Sequence, residues 1–67
     1  MTFTIEQIEM VAPNGHILHI SKNIEKFSKV AYWRVCSSYD GGLFYVLKDG
    51  LKNKPNKRQI ENYLGQI

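Results

Sequence analysis

The chain carries one cysteine, Cys36, in 67 residues. It therefore cannot form an intramolecular disulfide or a cysteine-based zinc cluster, and this cysteine usage points to an intracellular protein. No apolar run approaches the roughly 20 residues needed to cross a bilayer. The amino terminus, MTFTIEQIEM, has neither the basic n-region nor the apolar h-region of a signal peptide. A cytoplasmic location without a membrane partner is the expectation. Also lacking are a Gly-rich phosphate loop, a nucleophile elbow, an HExxH pair and paired carboxylates. With so few converging polar groups the chain is expected not to be an enzyme, and no cofactor is implied.

What is present argues for a folded domain. Apolar residues make up 43% of the chain and aromatics 12%, too much for a disordered segment. Residues 1–67 form a single domain, and one so small is only marginally stable. Ordering it costs on the order of 100 kcal/mol, at roughly 1.5 kcal/mol per residue. Self-association would offset part of that cost. The net charge is +3 and unevenly placed: residues 1–21 hold Glu6 and Glu9 and no Lys or Arg, whereas residues 22–67 hold nine basic and four acidic residues, a net +5.

The organising stretch is Val30 to Lys48, which reads VAYWRVC, SSYDGG, LFYVLK. Two runs rich in β-branched and aromatic residues flank Asp40-Gly41, and that dipeptide favours the left-handed dihedrals of a type I′ hairpin turn. With Asp40 and Gly41 as turn residues, Val35 lies opposite Val46; with Gly41 and Gly42, Arg34 lies opposite Asp49. Both registers give the same parity. Ala31, Trp33, Val35, Phe44 and Val46 then share one face, and Val30, Tyr32, Arg34, Cys36, Leu43, Tyr45 and Leu47 the other. Neither face is polar, so both require cover.

Before this hairpin, Thr2 to Val11 reads as a strand whose apolar parity shifts from Phe3 and Ile5 to Ile8 and Met10, as a bulge would cause. A short helix over Thr4 to Met10, with Thr4 and Gln7 as a capping box, is the alternative. Ala12-Pro13-Asn14-Gly15 is a turn that closes a first hairpin onto His16 to Ile20. Ser21 to Ser28 reads as a turn or two of helix near Ile24 and Phe27, or as an irregular crossover. Lys48 to Asn56 reads as a polar loop. Asn56 and Gln59 then form an N-cap pair, and Ile60, Tyr63, Leu64 and Ile67 follow the spacing of an amphipathic helix. That helix should cover the Trp33 and Phe44 side.

The expected fold is α+β: a small antiparallel sheet of three or four strands in two hairpins, with the carboxyl-terminal helix packed on one face. Two binding functions follow. Between Lys48 and Arg58 stand five basic residues and one acid, and Lys52, Lys54, Lys57 and Arg58 beside free helix N–H groups suit the phosphates of DNA or RNA. Tyr32 and Arg34, with Tyr45, would stack unpaired bases. Alternatively, Cys36, Leu43, Tyr45 and Leu47 form a protein interface, with another protein or a second copy. His16 and His19, three apart in a strand, point to opposite faces and do not form a metal site. The order of sheet and helix resembles, in architecture alone, the amino-terminal arm-binding domains of tyrosine recombinases, which implies a sheet that enters a DNA groove.

Overall fold

A computed structural model describes residues 2–67. Four strands, β1 (Thr2–Val11), β2 (Ile17–Glu25), β3 (Ala31–Ser38) and β4 (Tyr45–Leu51), form one antiparallel sheet in the order β1-β2-β3-β4, followed by helix α1 (Lys57–Gln66). The architecture is the expected small α+β arrangement, built as a meander of three hairpins rather than two.

The amino-terminal segment is the bulged strand: its pairing with β2 shifts between Thr4 and Glu6, which turns Ile8 and Met10 toward the core. The turn that follows is closed by the Gly15 amide donating to the Ala12 carbonyl at 3.0 Å. Neither a helix nor a crossover occupies residues 21–28. Ser21 to Glu25 continue β2, and Lys26 to Ser28 turn the chain into β3, with Lys29 at φ +60°. Cross-strand pairing along Ser21 to Ile24 outweighs the weak local helical signal. Lys48 to Leu51, expected as loop, likewise pair with β3 as the second half of β4.

The β3–β4 hairpin decides the faces. Asp40 and Gly41 have φ +53° and +70°, and the Gly42 amide donates to the Tyr39 carbonyl at 2.9 Å, so the expected turn forms. Strand pairing does not resume at once. Ser37 pairs with Tyr45 and Cys36 with Val46, which places one residue more on the Gly42 side than on the Tyr39 side. The register falls between the two anticipated ones, and a slip of one residue exchanges the faces of β4. Two further irregularities, between Val35 and Cys36 and between Trp33 and Val35, coil the rest of β4.

The hairpin is therefore not greasy on both sides. Leu47 and Leu51 join Leu18, Ile20, Trp33 and Val35 on the core face, and Ile60, Tyr63, Leu64 and Ile67 of α1 close over them. Leu18, Ile20 and Val35 are fully buried, each burial stabilising by about 1.5–3 kcal/mol. The helix covers the Trp33 side as expected, but Phe44 lies across the sheet from it, with its ring 4.7 Å from that of His19. Asn56 and Gln59 form the full capping box: the Asn56 side chain accepts from the Gln59 amide, and the Gln59 side chain accepts from the Asn56 amide.

Candidate functional site

Alternation along β3 separates the two groups of residues expected to bind nucleic acid together. Trp33 faces the core, and Lys54 reaches back over it with Nζ 5.8 Å from the ring centroid and 3.5 Å from the Glu6 carboxylate. Tyr32 and Arg34, its sequence neighbours, point to the opposite, uncovered face. Arg34 is already engaged there: its Nε and Nη2 each donate to Asp49 at 3.2 Å, and its guanidinium stands 5.6 Å from the Tyr32 ring centroid. This pair raises the Arg34 pKa and, through the same hydrogen bonds, holds the Asp49 carboxyl below its ordinary value. Tyr32 and Arg34 thus form a closed cluster of their own rather than an extension of the basic loop.

The uncovered face is polar. A shallow groove of about 230 Å³ runs across it over His19, Ser21, Asn23 and Cys36, between Thr4 and Phe44. Its groups bond one another: the Thr4 hydroxyl donates to Asn23 Oδ1 at 2.8 Å, and Asn23 Nδ2 donates to Ser21 Oγ at 3.2 Å. Glu9, His19 and Ser38 stand in acid–imidazole–hydroxyl order, with Glu9 3.6 Å from Nδ1 and the Ser38 hydroxyl 2.7 Å from Nε2. Ser38 is 2% exposed, and its bond to His19 joins β2 to β3, whereas the buried His19 Nδ1 makes no hydrogen bond and Glu9 stands beyond hydrogen-bond reach of it. Burial raises the Cys36 thiol pKa, against the opposing effect of Arg34, so the thiol is held protonated.

The four apolar residues expected to form one interface also divide. Leu47 packs in the core and Cys36 lies in the polar groove, while Leu43 and Tyr45 are 78% and 64% exposed. Phe44 and Val46, expected on the covered face, are 65% and 57% exposed beside them. A contiguous apolar stretch thus survives at residues 43–46, at the tip and first half of β4.

The register sorts charge as well. Lys22, Trp33 and Leu51 stand level across the sheet, with Glu6 beside Lys22. Lys26 and Lys29 lie in the β2–β3 turn beyond them, Lys52 follows Leu51, Lys54 sits on Trp33, and Lys57 and Arg58 open α1. Seven of the nine Lys and Arg residues therefore gather at one end with three carboxylates, Glu6, Glu25 and Glu61, the last one turn along α1 from Lys57 and Arg58, a net +4 from seven minus three. No acid stands in the first turn of α1. At the other end, Met10 to Ser21 and Val35 to Leu47 contain no Lys or Arg and one acid, Asp40. The sequence places Lys52, Lys54, Lys57 and Arg58 in one run; Lys22, Lys26 and Lys29 join them only through strand register.

Among the described residues no group of three His, Cys, Asp or Glu is arranged to hold a metal, and no helix is long and apolar enough to cross a membrane. Comparison with known proteins finds no family model, no curated protein and no solved structure that matches this chain.

Proposed function

We propose that the chain is a non-enzymatic binding module whose basic end takes the phosphate backbone of a nucleic acid. The observation that carries this reading is the segregation of charge: strand order and helix start bring seven cations from two separate segments to one end, while the opposite end has none. Lys52, Lys57 and Arg58 form no ion pair with a described residue, so their charge is available to a ligand. Such clustering costs stability by self-repulsion, which a polyanion relieves. Phe27, 83% exposed between Lys26 and Lys29, and Phe3, 49% exposed, add aromatic faces at the same end on which unpaired bases can stack. Base stacking thus falls to Phe27 and Phe3, because Arg34 is held by Asp49 on the other face.

Fluorescence anisotropy with labelled single-stranded and duplex oligonucleotides, taken over a range of salt, tests the proposal. The logarithm of affinity should fall linearly with that of salt, with a slope of about 0.7–0.9 per phosphate engaged. Lys57→Glu with Arg58→Glu should weaken binding and reduce that slope by about two. The same change places acids where the helix dipole favours them but sets them one turn from Glu61, and the two effects, each a few tenths of a kcal/mol, oppose one another. An unchanged circular dichroism spectrum and urea midpoint in this variant then separate lost binding from lost structure. A salt-independent affinity, or none, excludes the reading.

A further inference from the structure

We infer that the first half of β4 is a self-association edge, at which a second copy of the chain adds antiparallel to extend the sheet across a two-fold axis. The two edges of the sheet are unequally protected. β1 carries Glu6 and Glu9 and a bulge near Ile5, with Lys54 lying against Glu6, the charges and distortion that keep an edge from pairing. The second half of β4 is likewise blunted by its irregular pairing, by Lys48 and Asp49, and by Gly50 at φ +70°. The first half has no such device. From Gly41 to Leu47 there is no charged residue, and Leu43, Phe44, Tyr45 and Val46 are 78%, 65%, 64% and 57% exposed.

A second copy fits this stretch better than an unrelated strand for two reasons. A two-fold contact requires the segment to complement itself, and a charge-free run paired antiparallel with its own copy sets no like charges opposite each other: with the axis at Val46, Lys48 faces Phe44 of the second copy. Area argues the same way. The chain exposes 4867 Å², whereas a compact monomer of 7.8 kDa exposes about 4,400 Å². The excess, roughly 500 Å² per copy, approaches the scale of a small interface. An axis perpendicular to the sheet leaves both helices on one face and the basic ends outermost, so self-association does not depend on the nucleic-acid reading.

Sedimentation equilibrium on the whole chain at a few hundred micromolar should give twice the 7.8 kDa mass, with dissociation on dilution. Val46→Lys sets two ammonium groups together across the axis and should yield a monomer, as should Val46→Glu, each with an unchanged circular dichroism spectrum. An equimolar mixture of the two should restore the dimer. Lys57→Glu with Arg58→Glu should remain dimeric whether or not the chain binds nucleic acid. A wild-type monomer at these concentrations overturns the inference regardless of how the variants fold. So do a Val46→Lys dimer, a mixture that stays monomeric, or association that continues beyond two copies.

Discussion

Asp49 accepts hydrogen bonds from Arg34 and from the Gly50 amide, the latter at 2.8 Å, and so ties the bulged part of β4 to β3. Because folding lowers the Asp49 pKa, the pair stabilises the fold above the unfolded carboxyl value near ~4, and the contribution is lost as pH falls through the lower folded value. Both side chains are more than a third exposed, at 39% and 47%, so solvent screens the pair to at most about 1 kcal/mol. Asp49→Asn should accordingly lower the urea midpoint slightly at neutral pH and leave it unchanged near pH 2. Core residues act on a larger scale. Leu18 touches no solvent, and Leu18→Ala should cost about 2–5 kcal/mol, enough to leave a domain this small largely unfolded by calorimetry. Cys36, with its thiol pKa raised by burial, should be alkylated more slowly than a free thiol at neutral pH, a difference that mass spectrometry can follow.

Among the elements, α1 is the one most legible in the sequence. Its capping box and its i, i+3, i+4, i+7 stripe depend on residues within two turns of each other. Ten residues do not hold a helix in water alone, so the cap and the contact with Trp33 act together. Asn56→Ala should cost about 1 kcal/mol, measured by chemical denaturation. The Asp40-Gly41 turn was equally readable, because left-handed dihedrals are a local preference. The strand after it was not. A single additional residue between Gly42 and Tyr45 exchanged Leu47 with Phe44 and Val46, and no local preference records where a bulge is placed. Gly50 belongs to a separate irregularity, between the Val35–Lys48 and Trp33–Leu51 pairs. A Cβ there would meet nothing within 4 Å, so the roughly 1–2 kcal/mol expected for Gly50→Ala comes from backbone strain at φ +70° alone.

At the scale of the whole molecule, one end is cationic and the other apolar and almost uncharged. Seven cations against three carboxylates repel one another at low ionic strength. Raising salt from about 10 to 200 mM should therefore increase Tm by roughly 2–4 °C, about half a kcal/mol for a domain of this size. Surface ion pairs such as Lys54–Glu6 would by themselves give the opposite sign. A Tm that falls with salt would show that the pairs outweigh the repulsion.

The sequence by itself determined the class of fold, the two turns that carry Gly or Asn, after β1 and after β3, and the capped helix with its apolar stripe, and it offered the bulged first strand beside a short helix. All of these rest on interactions between residues a few positions apart. Tertiary structure alone decided which strand faces lie together, and with them every surface proposed to act. It carried Lys22, Lys26 and Lys29 to the end where α1 begins, set Arg34 against Asp49, and drew Leu47 inward while leaving Val46 at the edge. The physical reason is that side chains alternate along a strand with a period of two. One inserted residue therefore reverses a face, and whether it is inserted depends on how well the whole sheet packs against the helix.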